Sequence, residues 1–144
     1  MTLDTLAKHI STLLKARSDV AIPTKSEIIN DKEVVSVDLE MIIPLIQQNM
    51  LLIANRYKVL GLVTKSSNFR VLRVLKGGYF IRMPKEPRNL TDKIDLDLEL
   101  HIAVANFVAA DLAKNPHNRN IFKKAGRKIV KDYSFKIYNT PAPE

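Results

Sequence analysis

A glycine pair, Gly77-Gly78, stands between two runs of β-forming residues, 69–75 and 79–83, and the second run stops at Met83-Pro84. Glycine takes positive φ at both central positions of a tight turn without steric penalty, so the pair reads as the turn of an antiparallel hairpin. Proline donates no backbone hydrogen bond, which sets Pro84 as the far limit of the second strand. A proline-pinned connector follows (Lys85-Glu86-Pro87-Arg88), then an acidic ramp of Asp92, Asp95, Asp97 and Glu99, then the apolar residues 100–113. Acids ahead of an apolar run suit the positive end of a helix macrodipole. An isolated hairpin is marginal in water, so these strands must lie on helices or meet strands of another chain.

Helical spacing accounts for most of the remaining chain. Leu3, Leu6, Ala7, Ile10, Leu13 and Leu14 fall three and four apart on one stripe, with Thr2 placed as its N-cap. Residues 18–36 read as a long connector, interrupted by Pro23 and rich in turn formers at 24–26 and 30–32. Within it, Ile28-Ile29 and Val34-Val35 are core anchors or brief strands. A second helix starts at Ser36 or Asp38 and runs to about residue 58. Its apolar residues cover most of the circumference, which predicts burial on several sides. Pro44 inside it predicts a first-turn position or a kink. Residues 60–64 are a candidate third strand.

The third helix is placed at about 95–114, with Leu100, Ala103, Val104, Phe107, Val108 and Leu112 inward and alanines permitting close helix approach. Asn115-Pro116-His117-Asn118 ends it, and Asn118 or Asn120 caps a fourth helix to about residue 133, with Ile121, Phe122, Ala125, Ile129 and Tyr133 as its stripe. The expected fold is α+β, mainly α: a four-helix bundle, its centre formed by the second and third helices, with a projecting β-hairpin arm at 69–83. One domain spans residues 1–136 and residues 137–144 form an extended tail.

A chain of 144 residues buries a core without disulfides or metals. It has no cysteine, which removes thiolate catalysis and cysteine-based zinc sites. Its first residues lack the pattern of a secretory signal, and its longest apolar windows are far short of the roughly 20 residues a membrane span requires. The expectation is a soluble protein without a membrane partner. Charge is uneven. The net +8 comes mainly from residues 56–91, with nine basic residues against Glu86, and residues 114–136, with eight against Asp132. Such an excess fits polyanion contact, a solvated face, or a basic surface meeting an acidic neighbouring copy.

Chemistry-bearing patterns are missing. His9, His101 and His117 are not at ligand spacing on any one helix, and His101 beside the acidic ramp reads as a capping or salt-bridging group. Asp95, Asp97 and Glu99 alternate and point different ways on a helix. No Gly-Lys-Ser/Thr follows Gly77-Gly78, no nucleophile elbow occurs, and no EF-hand spacing occurs. The expectation is a non-enzyme with no cofactor and no metal. On the fourth helix, Lys123, Lys124, Arg127, Lys128 and Lys131 face away from the apolar stripe. They are candidate contacts to DNA in a channel or to a neighbouring subunit. Few aromatics accompany them, which argues against single-strand stacking.

The order of parts resembles the head-to-tail adaptor (connector ring, neck) proteins of tailed bacteriophages. Those proteins open with a short helix, here residues 3–14, and a second helix, here 38–57. A β excursion of the form Gly-x-Tyr-x-Ile-x-x-Pro follows, as in residues 77–84, then Thr91-Asp92, the acidic ramp, an alanine-rich helix and a last basic helix. The resemblance covers most of residues 1–136 and rests on apolar and turn patterns. It implies a virion structural protein assembled in the host cytoplasm. Such a protein is a subunit of a homo-oligomeric ring, often a dodecamer, docked on the portal protein and on tail or neck proteins, with double-stranded DNA passing through its channel. The reading that competes with it is a basic nucleic-acid-binding or regulatory domain.

In the adaptor reading, Phe69, Val71, Tyr79, Ile81, Pro84 and Pro87 form an inter-subunit arm. The arm strands lack enough partners within the chain and offer an edge for strand addition, with the two prolines setting the exit angle. Arg73, Arg82 and Arg88 meet Asp92, Asp95 and Asp97 of an adjacent copy.

Overall fold

The computed structural model describes residues 1–57, 62–63, 71–74 and 80–138. In chain order these form α1 (Leu3–Ala16), β1 (Thr24–Ile29), β2 (Lys32–Val37), α2 (Leu39–Tyr57), β3 (Leu62–Val63), β4 (Val71–Val74), β5 (Phe80–Arg82), α3 (Leu98–Leu112) and α4 (Pro116–Tyr138). The fold is α+β and mainly α, four helices with a projecting hairpin.

α3 is the hub. It packs against α1, α2 and α4, and every residue from position 103 to 110 is buried. A helix enclosed on all sides must be apolar on all sides. The single polar exception within that stretch, Asn106, turns its amide onto the carbonyl of Ile102 at 2.9 Å. α2 is less enclosed than its composition predicts. It buries Ile42, Ile46, Met50, Ile53 and Ala54, while Met41 and Leu52, three turns apart on the opposite face, are 56% and 45% exposed. Pro44 lies in the second turn on the exposed side of α2, so the bond it cannot make is the one to the carbonyl of Glu40, itself exposed.

Caps set the helix boundaries. Thr2 caps α1, its Oγ1 accepting from the N–H of Thr5 at 3.3 Å. α4 begins earlier than the sequence reading placed it. The Asn115 side chain accepts from the N–H of His117 at 2.8 Å, its carbonyl accepts from Arg119 at 3.0 Å, and Pro116 occupies the first helical position, where no N–H is needed. Asn115 is therefore the N-cap, and Asn118 serves elsewhere. The N-terminal segment pairs with residues 90–94: Leu3 donates to the Asp92 carbonyl at 2.8 Å, Asp4 to Leu90 at 3.0 Å, and Ile94 to Met1 at 3.0 Å.

Two β units stand outside the bundle. β5 is central in a three-stranded antiparallel sheet, with β3 on one side and β4 on the other. The sequence reading treated residues 69–83 as an arm short of partners. Ile81 instead pairs with both Leu62 and Arg73, so β5 has no free edge there. The Gly77-Gly78 turn, Phe69, Tyr79 and residues 139–144 of the expected tail lie outside the described residues, while Ile137 and Tyr138, expected in that tail, are the last residues of α4.

The second β unit falls where a connector is expected. β1 and β2 pair in register from Thr24↔Val37 to Ile29↔Lys32. Asn30 and Asp31, at φ 51° and 62°, make the two-residue turn. Positive φ at both central positions matches the right-handed twist of the strands, and Asn and Asp tolerate it better than most residues.

Candidate functional site

The β1–β2 hairpin is exposed along almost its whole length. Every residue of β1 and all but the last of β2 are exposed. Strand alternation puts Ile28, Val35 and Val37 on one face and Ile29 and Val34 on the other. Ile28 and Val35 are 81% and 62% exposed. Polar links on the same strands are local: Ser26 donates to Glu33 at 2.8 Å, and Lys25 lies 3.5 Å from Glu27. At the base, the N–H of Asp38 donates to the Pro23 carbonyl at 2.9 Å, and the Asp38 carbonyl accepts the first bond of α2 from Ile42. The arm therefore leaves and rejoins the bundle at one point.

The outer face of α4 is the second surface. α4 buries Asn118, Phe122, Gly126, Val130 and Tyr133. Lys124, Arg127, Lys128 and Lys131 are all exposed on the opposite side. At 3.6 residues per turn they fall within an arc of about 100° over about 10 Å of axis. Lys123 is half-buried at the flank of this arc. α4 is held to α3 by a close approach: the site of a Cβ on Gly126 lies 2.9 Å from two ring atoms of Phe107.

The acidic ramp is largely committed within the chain. Asp92 accepts from the N–H groups of Arg88 and Asn89 at 2.9 and 3.0 Å, and these bonds hold its carboxyl below the usual range. Asp95 accepts from the N–H of Lys85 at 2.7 Å. Asp97 sits at the N-cap of α3 in extended conformation. Asp92 and Asp95 thus hold the connector 85–92 rather than standing clear for a neighbouring copy's arginines. Pro84 and Pro87, read as setting the exit angle of an arm, are buried in the chain itself, and the Pro84 carbonyl accepts from Gln47 at 3.3 Å. Arg88 is exposed. Val71, Arg73, Ile81 and Arg82 are strand residues of β4 and β5.

Two polar groups stand out that sequence reasoning assigned otherwise or missed. His101 is neither a helix cap nor a salt bridge. It is buried, one ring nitrogen lies 2.9 Å from the Leu96 carbonyl, and burial holds its pKa below the usual value. Nε2 is therefore the protonated nitrogen of a neutral ring, and Nδ1 has no partner within the described residues. Asp19 ties the exit of α1 to the α3–α4 turn. It accepts from the Asn118 amide at 2.8 Å and from the N–H groups of Val20 and Lys114 at 2.7 and 3.0 Å. Those bonds, the Asn118 amide first, bring its pKa down to about 2.

Among the described residues no group of three or more His, Asp or Glu is placed to hold a metal ion. No helix among them is long and apolar enough to cross a membrane. The chain matches no protein-family model, no curated protein and no solved structure.

Proposed function

We propose that this chain is a structural subunit of a homo-oligomeric ring of the phage head-to-tail connector type, docking on a portal protein and continuing its channel towards the tail. The observation that carries the reading is the β1–β2 arm. A two-stranded hairpin is marginal in water, and this one holds Ile28, Ile29, Val34 and Val35 in solvent on both faces. Burying those side chains against another molecule gains roughly 25 cal/mol per Å² of apolar surface. An arm that reaches a different surface on the next copy makes a heterologous contact, the kind that closes rings. The α2 face carrying Met41 and Leu52 is an exposed apolar surface of that kind.

The test is light scattering after size exclusion, with negative-stain imaging, on the full chain and on a chain whose residues 24–37 are replaced by two glycines. The Pro23–Asp38 hydrogen bond keeps the two cut ends together, so the shortened chain is expected to fold. The full chain is expected to form rings and to co-elute with its cognate portal protein, and the shortened chain to remain a helical monomer. A full chain that stays monomeric at tens of micromolar and ignores the portal protein rejects the reading. Rings formed without the arm reject the arm's part in it.

A further inference from the structure

We propose that the outer face of α4 is a binding surface for the phosphate backbone of duplex DNA, read without regard to sequence. The inference rests on how charge is arranged on one helix and does not require a ring, since a monomer would show it equally. Lys124, Arg127, Lys128 and Lys131 are exposed on one line, and none is within ion-pair distance of an acid among the described residues. Asp132 is the single acid of α4 and lies at the edge of the arc. His117 and Asn120, also exposed, extend the same line by two turns towards the start of the helix. The cations therefore cover about 10 Å of axis, and with the polar His117 and Asn120 the exposed polar face runs for about 20 Å by helix geometry.

The form of the surface decides among polyanions. A helix that binds membranes needs an exposed apolar face, but Phe122, Val130 and Tyr133 are buried on the other side of α4. A protein interface is centred on apolar and aromatic residues, and between His117 and Lys131 this face has at most Ile121, half-buried at its edge. Single strands bind by base stacking on aromatics, which this stretch of the face lacks. Closely spaced cations on a rigid rod fit the repeating charge of a duplex. Three or four phosphates neutralised predict that the logarithm of affinity falls against the logarithm of salt with a slope of roughly −3.

The test measures fluorescence anisotropy of a labelled 20-base-pair duplex of arbitrary sequence between 50 and 200 mM salt. One variant carries K124Q, R127Q, K128Q and K131Q. Its control carries K15Q, R17Q, K85Q and K93Q, four other exposed cations outside both α4 and the β1–β2 arm. Both change the net charge from +8 to +4, since each removes four positive charges, so only placement differs. The α4 variant is expected to lose at least tenfold in affinity and most of the salt slope, and the control less than threefold. Vesicles of anionic phospholipid at equal phosphate are expected to bind at least tenfold more weakly than the duplex. Equal losses in the two variants, no binding by the parent chain at 50 mM salt, or vesicle binding as tight as duplex binding would each overturn the proposal. Should the fourfold variant lose its helical circular dichroism, the pair R127Q and K128Q is used instead, with a loss of about threefold expected and no loss refuting.

Discussion

Replacing Gly126 by alanine sets two effects of known size against each other. In the interior of an exposed helix the exchange stabilises by about 1 kcal/mol, because glycine is the poorer helix former. Here the added methyl would stand 2.9 Å from Cε1 and Cζ of Phe107 and 3.1 Å from Cδ1. Carbon atoms pack at about 3.5–4.0 Å, so the ring or the whole of α4 must move by more than half an ångström. Phe107 is buried on the hub helix, which leaves the ring little room to turn. Overpacking of this kind costs about 1–3 kcal/mol. The net expectation is a loss of up to about 2 kcal/mol, and at about 2–4 °C per kcal/mol for a chain of this size the Tm falls by up to about 4–8 °C. Thermal and urea unfolding followed by circular dichroism measure it. The cause is isolated by repeating the exchange in a Phe107→Leu background, where the ring is gone and Gly126→Ala becomes neutral or stabilising. The coupling between the two positions is then about 1–3 kcal/mol. If Gly126→Ala stabilises the parent chain by the full helix-propensity gain, the close approach of α3 and α4 is not as described.

Asp19 has a folded pKa near 2 against an ordinary 3.8. Its contribution is fully present above pH 3.8 and disappears as pH falls towards 2, so Asp19→Asn should flatten the acid limb of a stability–pH curve in that window and leave neutral behaviour nearer to the parent than Asp19→Ala does. His101 works in a different range: its folded pKa lies below 6.5, so the unfolded chain takes up the proton first and stability declines as pH drops below 6.5. His101→Gln should remove that slope in urea titrations at stepped pH, and an unchanged slope would place the titrating group elsewhere. Asn115→Ala removes the side-chain acceptor at the start of α4 and should destabilise by about 1 kcal/mol in the same assay, with Asn115→Asp close to neutral.

Periodicity made the helices legible. The stripe of α1, its Thr2 cap and the buried run of α3 follow directly from three-and-four spacing, and so does the cationic line on α4. The strands around Ile81 were legible as strands, but their partners were not, because Leu62-Val63 is too short to announce which edge it covers. The arm was harder still. Its turn, Asn30-Asp31, is a recognisable two-residue signal, yet the flanking strands put apolar residues on both faces and give no alternation that separates an inside from an outside. The acidic ramp shows the limit of a local rule. Asp92 and Asp95 precede α3 and serve N–H groups of the connector, so they act as turn clamps, while Asp97 at the N-cap position and Glu99 in the first turn meet the helix start. Asp19 and Asn118 are 99 residues apart, and no local pattern pairs them.

The single hydrogen bond from Asp38 to Pro23 makes the arm a cassette. Because entry and exit coincide, residues between them can be lengthened, shortened or exchanged with no strain passed into α1 or α2. A chain carrying this bundle can therefore change what the arm presents by rewriting one short insert while the hub helix and the cationic face stay as they are. The same port accepts an engineered peptide or small domain, displayed at a fixed point on the bundle.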